Sequence, residues 1–150
     1  MLFQPKKVLV PTDFSKASDA ALDKAVDLAR TYGSKIYLLH VIDDEVQQCA
    51  IDYCLDNETV SEVFKGSIKH SKKRLSQIIE AIGDSNGIEM SQDIKTGNPV
   101  EEILKFQKKN GIDLIVMSPH GRRGFMKSLL GGVADKVVQM AGCPVLLTKS

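Results

Sequence analysis

"IDLIVMSPHGRRGFMKSLLGG", residues 112–132, joins an apolar run to a loop with four glycines, two adjacent arginines and a histidine. The run is nearly continuous rather than alternating, as in a strand covered on both faces of a parallel sheet. Glycine weakens helices and strands alike, so its clustering after a strand needs a backbone reason. Gly121 and Gly124 admit positive φ and close approach, and successive N–H groups there can converge on one anion. Gly131 and Gly132 would each cost about 1 kcal/mol inside a helix. They fit better at a helix start, where free N–H groups and the positive dipole end favour phosphate oxygens. The regular helix is therefore expected near Gly132, with 125–130 as an irregular or short helical turn. Arg122, Arg123 and Lys127 would charge its rim. A basic surface loop whose glycines only ease turns is the alternative on these residues alone.

Outward from that stretch, elements alternate along the whole chain. "KKVLV" (6–10) is a short β-rich run closed by Pro11, and Ser15 is an N-cap for a helical stripe of Ala17, Ala21, Ala25 and Leu28, widened by Leu22, Val26 and Ala29, that stops at Gly33. "KIYLLHVI" (35–42) reads as a buried strand. Residues 43–58 are acidic and weakly periodic, and are expected as solvated loop, with a short helical turn as the alternative. Thr59 and Glu62 have capping-box spacing, and Val60, Val63, Phe64, Ile68, Leu75, Ile78, Ile79 and Ile82 trace an apolar helix face, expected as core, ending near Gly83. "GIEMSQDI" (87–94) alternates as a strand. In 96–111, Asn98 is expected as N-cap, with Pro99 at the first helical position, Glu101 and Glu102 in the first turn and Gly111 as stop. Val133, Val137, Met140 and Ala141 mark a helix, also expected to bury that face, before a last strand at 143–149. The resulting β-α-β-α-β-α-β-α-β order predicts one α/β domain over 1–150, a doubly wound five-stranded parallel sheet with helices on both faces.

Composition narrows the function. Lys+Arg 20 against Asp+Glu 19 leaves a formal charge of +1, unlike the strongly basic balance of a dedicated nucleic-acid binder. No apolar run approaches the roughly 18–20 residues that span a bilayer. "MLFQPKKVLV" lacks the order of a signal peptide. Cys49, Cys54 and Cys143 form no CxxC pair, so reduced thiols and a cytoplasmic setting are expected.

In an open parallel sheet, ligands bind beyond the carboxyl ends of the strands where strand order reverses. The loops after strands one and four carry unusual chemistry: "VLVPTDFS" (8–15) and "IVMSPHGRRG" (115–124). They face one crevice if the order is 3-2-1-4-5. Asp13 is placed to accept from ribose hydroxyls or to hold a phosphate-bound Mg²⁺; capping the following helix is its competing role, and Ser15 competes for it. The glycine loop matches neither the Walker A sequence nor the GxGxxG fingerprint. His120 has no nucleophile–base partner in sequence and is expected to shape its loop by hydrogen bonding. His40 is expected as a core or sheet-end histidine.

Taken together, "KVLVPTDFS", "GNPVEEIL", "DLIVMSPHGRRG" and "LLGGVADKVVQMAGCPVLLTK" resemble the universal stress proteins of the ATP-binding type, a Rossmann-like fold of the adenine nucleotide alpha hydrolase kind. The family signature G-x2-G-x9-G-[S/T] falls on Ser118, Gly121, Gly131 and Gly132. Two positions match; Ser118 replaces a glycine, and Gly132 replaces a hydroxyl residue that helps hold phosphate. That loss is worth about 1 kcal/mol. The resemblance implies ATP, or AMP or ADP, bound with Mg²⁺ or Mn²⁺. Pro11, Thr12 and Asp13 would lie beside the nucleotide, Val41 would present its backbone to the adenine edge, and Met117, Ser118, Pro119, His120, Gly121, Arg122, Arg123, Gly124, Gly131, Gly132, Val133 and Ala134 would wrap ribose and phosphates. It also implies a homodimer joined through 144–149, where an apolar edge strand is protected by burial.

The expected role is an ATP-binding stress-response regulator, with at most slow hydrolysis, because no residue is an evident general base for water. A nucleotide-free structural or interaction dimer of the same fold is the alternative. An adenylyl-transferring enzyme is disfavoured, since the paired-histidine motif of such enzymes is absent. On this reading Gly121→Val blocks the backbone nest: nucleotide binding measured by calorimetry is lost while the circular dichroism spectrum is unchanged.

Overall fold

The computed structural model describes residues 2–44, 48, 52–53, 56–83, 87–120 and 132–149. Its elements are β1 (Lys7–Pro11), α1 (Lys16–Tyr32), β2 (Lys35–Asp43), α2 (Asn57–Gly83), β3 (Met90–Gly97), α3 (Pro99–Asn110), β4 (Leu114–Met117), α4 (Gly132–Met140) and β5 (Val145–Leu147). The strands form one sheet in the order β3-β2-β1-β4-β5, and every neighbouring pair is parallel. That is the 3-2-1-4-5 arrangement predicted above.

The two faces follow from the period of a strand. On β1, Val8 and Val10 point to one side, where α1 supplies Ala21, Leu22, Ala25, Val26 and Ala29 and α2 supplies Leu75. Leu9 points to the other side and meets Ile103 and Phe106 of α3 and Ala134 and Val137 of α4. Helices thus cover both faces, which is why strands β1 and β4 read as unbroken apolar runs.

Helix punctuation performs as the sequence predicts in α1 and α3. Ser15 accepts from the Ser18 amide, and Gly33 closes α1 in the left-handed region at φ 70°. Asn98 accepts from the Glu101 amide, Pro99 follows, and Gly111 closes α3 at φ 63°. Several expectations need correction. The Thr59–Glu62 capping box does not start α2: Asp56 is the cap, accepting from the Thr59 amide at 2.6 Å and the Thr59 hydroxyl at 2.9 Å. Those bonds hold the Asp56 carboxyl below its ordinary pKa. Strand β3 runs over 90–97 rather than 87–94, because pairing with β2 continues until Asp43 lies opposite Gly97. Strands β4 and β5 are shorter than 112–118 and 143–149. Asp113 is diverted to bind the amides of Lys6 and Lys7.

The apolar stripes of α2 and α4 are also less buried than expected. Val63 in α2 and Val133, Val138 and Met140 in α4 are exposed, while Leu75, Ala134 and Val137 are buried. In α2 the reason is length. Its 27 residues span about 40 Å, against about 30 Å for the nine of β2, so its first half projects past the sheet. Where α2 does pack, the core is tight. Leu75→Ala, at a fully buried position, is expected to lower unfolding free energy by about 2–5 kcal/mol in urea titration, with the fold retained.

Candidate functional site

Strand order reverses at β1, with β2 and then β3 on one side and β4 and then β5 on the other. Above its carboxyl end lies a cleft of about 670 Å³. This is within the usual range of ligand pockets. Its floor is formed by Pro11, Thr12, Leu39, Val41 and Met117 at the strand ends, its walls by residues of α1, α2, α3 and α4.

The β1–α1 turn is held by a closed set of hydrogen bonds. The Thr12 amide donates to the Leu39 carbonyl at 2.8 Å, carrying the ladder one residue past the strand. The Thr12 hydroxyl accepts from the Phe14 amide at 3.0 Å and pairs with the buried Ser18 hydroxyl at 3.0 Å. Ser18 donates onward to the Ser15 carbonyl at 2.8 Å. Each hydroxyl has one proton, so Thr12 donates to Ser18. Asp13 accepts from the Ser15 amide at 3.0 Å through one oxygen and lines the cleft. Ser15 therefore takes the capping role for α1, and Asp13 bends the turn that precedes it.

Phe14 is the sole non-glycine residue with positive φ among the described residues, at 64°. Its ring packs on the His40 imidazole, 4.4 Å centroid to centroid, and under the Arg74 guanidinium, 4.2 Å from the ring centre. His40 Nδ1 lies 2.8 Å from the Thr12 carbonyl, so that nitrogen carries the proton. His40 is thus a half-buried strand-end histidine, as expected, and also part of the cleft wall.

On the β4 side, Met117, Ser118 and Pro119 line the cleft, and so do Gly132, Val133 and Ala134 at the start of α4. Ser118 donates its hydroxyl to the His120 carbonyl, so the loop is shaped through the main chain of His120. A Cβ built on Gly132 meets nothing within 4 Å, so this helix start is open. Pro11, Thr12, Asp13, Val41, Met117, Ser118, Pro119, Gly132, Val133 and Ala134 are thus brought to one cavity. Gly121, Arg122, Arg123, Gly124, Lys127 and Gly131 lie outside the described residues, as do Cys49 and Cys54. Residues that sequence reasoning passed over also line it: Phe14, His40 and Asp43, Ile103 of α3, and Ser67, His70, Ser71 and Arg74 of α2.

The described thiol, Cys143, is away from this cleft, and burial, with the charge of Asp113 second, pushes its pKa up. No helix among the described residues is long and apolar enough to cross a membrane. No group of three or more His, Cys, Asp or Glu among them is placed to hold a metal ion.

A family model described as the universal stress protein family matches residues 5–149. The chain belongs to the universal stress protein family. It is 31% identical over 144 residues to universal stress protein MJ0531 of Methanocaldococcus jannaschii, covering 96% of this chain and 82% of that one. It is 32% identical over 155 residues to MJ0577 of the same organism, covering 96% and 94%. The solved structure of MJ0577 superposes with a TM-score of 0.84 at 28% identity, over 99% of this chain and 98% of that one. Two other solved universal stress proteins share the fold. One, in complex with cAMP, has a TM-score of 0.62 at 18% identity over 97% of this chain and 98% of that one. Another, from Archaeoglobus fulgidus in complex with dAMP, has a TM-score of 0.64 at 23% identity over 99% and 100%.

The turn network has a direct test. Ser18→Ala leaves the Thr12 hydroxyl short of a buried partner and should cost about 1–3 kcal/mol of unfolding free energy, measured by denaturant titration.

Proposed function

We propose that the cleft above β1 binds an adenine nucleotide, ATP or its AMP and ADP products, and that the protein acts as a nucleotide-dependent stress-response regulator. The observation that carries this reading is the convergence, at one cavity on the strand-order reversal, of the β1 turn and the open start of α4. The residues fit such a ligand. Val41 and Met117 offer apolar surface and main-chain groups for a base, and Asp13 offers carboxylate oxygen to ribose hydroxyls. Gly132, Val133 and Ala134 at the start of α4 line the cleft, and a helix start with free N–H groups favours phosphate oxygens. The cAMP and dAMP complexes of proteins with this fold support a nucleotide in this family.

A divalent ion, Mg²⁺ or Mn²⁺, would reach the site on the phosphates. The described residues gather no set of protein ligands for it, and Mg²⁺ bound with nucleotides needs only one or two carboxylates beside phosphate oxygens. Asp13 is the carboxylate assigned that role. Bound metal neutralises charge on the phosphates; Asp13 and the α4 amides position the ligand. No described side chain stands out as a general base, so occupancy rather than turnover is the assigned signal.

We assign the second copy of the chain to the β5 edge, in a cytoplasmic homodimer. Leu146 is 38% exposed on an apolar strand paired only with β4, and Val138 and Met140 expose further apolar surface on the adjoining helix. An uncovered edge of this kind invites pairing with another chain.

The test is to purify the protein without added ligand, denature it and chromatograph the supernatant, then to titrate the refolded or stripped protein with ATP and Mg²⁺. Released adenine nucleotide, or a thermal shift at millimolar ATP, is expected. A blank in both supports the nucleotide-free interaction dimer instead. Gly132→Ser should leave affinity unchanged or raise it several-fold, because its Cβ enters open space and its hydroxyl adds a donor. A large loss in that variant would show that the phosphates lie elsewhere.

A further inference from the structure

The inner stripe of α2 changes character along its length. Toward its end Leu75, Ile78, Ile79 and Ile82 pack on the sheet with the β1 and α1 core. Before them, Ser67, His70, Ser71 and Arg74 fall at i, i+3, i+4 and i+7, one face of the helix, and all four line the cleft. This is the stretch of α2 near the carboxyl edge of the sheet, where an apolar stripe would have nothing to pack against.

Two details distinguish this wall from an ordinary solvated face. Ser71 is only 6% exposed, yet no hydrogen bond engages its hydroxyl among the described residues. Arg74 is half-buried with its guanidinium stacked on Phe14, and none of the ion pairs among the described residues includes it. The hydroxyl of this largely buried serine, open toward the cleft, and a cation, neither with a hydrogen-bond or ion-pair partner among the described residues, line the same cavity. Asp13 and Asp43 line the same cleft, so a ligand there keeps its hydroxyls toward the carboxylates and its negative charge toward Arg74.

We propose that the α2 wall of the cleft is a phosphoryl subsite, in which Arg74 and Ser71, with Ser67 and His70 beside them, take a phosphoryl group distinct from the one at the start of α4. The planar guanidinium matches two phosphate oxygens at once, and the seryl hydroxyls supply further donors. The inference rests on the nucleotide reading above. It makes the preferred ligand a nucleotide with two separately placed phosphoryl groups, or a nucleotide accompanied by free phosphate.

Calorimetric titration of the full chain with AMP, adenosine 3′,5′-bisphosphate and inorganic phosphate tests it. Wild type should bind the bisphosphate about tenfold more tightly than AMP. Arg74→Gln should bring the ratio of bisphosphate to AMP affinity down to about one, whatever its effect on AMP binding alone, with an unchanged circular dichroism spectrum as the control for folding. Arg74→Lys, which keeps the charge, should retain part of the gain. Ser71→Ala should lower bisphosphate affinity about threefold and provides a second reading if Arg74 variants lose AMP binding through misfolding. Phosphate binding that needs Arg74, without a bisphosphate gain, supports the same subsite and identifies free phosphate as its source. Equal affinity for AMP and bisphosphate, with no Arg74-dependent phosphate binding, overturns the subsite and leaves the nucleotide reading intact. Failure of wild type to bind AMP overturns both.

Discussion

Two parallel ladders meet on β1. On one side Lys7 to Pro11 pair with Lys35 to Leu39; on the other Val8 and Leu9 pair with Leu114 and Ile115. Because the chain proceeds outward from β1 in both directions, the loops leaving β1 and β4 diverge to opposite faces and open a crevice between them. All that follows at the mouth depends on this central strand being apolar on both sides. A polar residue at Val8, Leu9 or Val10 would enter a wholly buried layer, where an unpaired polar group is costly. The site is therefore secured by residues that never touch it.

Above that strand, the β1–α1 turn keeps an aromatic side chain in a conformation that L-residues seldom adopt. The left-handed region costs a non-glycine residue about 1–2 kcal/mol, and Phe14 occupies it. The surroundings over-determine the geometry: the Thr12 hydroxyl takes the Phe14 amide, and His40 and Arg74 both pack on the ring. Strain of this kind concentrates where ligands bind. The ring also links three elements, β2 through His40, α2 through Arg74 and the turn itself.

The succession of strands and helices along the chain was legible in the sequence because it rests on local signals. Ser15, Gly33, Asn98, Pro99 and Gly111 act through the neighbouring few residues, and the structure uses each in that way. Errors arose where a partner distant in sequence decides the outcome. The end of β3 is set by how far β2 runs beside it, and the burial of α2 by where the sheet stops. Asp56 outcompetes Thr59 because a carboxylate accepts from both the amide and the hydroxyl of that threonine. At the site, Asp13, Ser118 and Gly132 were visible because they flank strands. His40 was expected as a core or sheet-end histidine, and Ser67, Ser71 and Arg74 lay outside the apolar stripe read for α2. Only the fold reveals that all four line a cavity.

At the opposite end of the sheet from the mouth, the carboxylate of Asp113 accepts from the main-chain amides of Lys6 and Lys7 at 3.0–3.3 Å, and the Lys7 ammonium reaches the Asn110 carbonyl at 3.1 Å. Those bonds bolt the foot of β1 to the approach to β4. Any breathing between the two central strands must then pivot about that foot, with displacement growing toward the rim. Compliance is thereby concentrated beside the cavity, and whatever enters it meets the part of the molecule best able to yield.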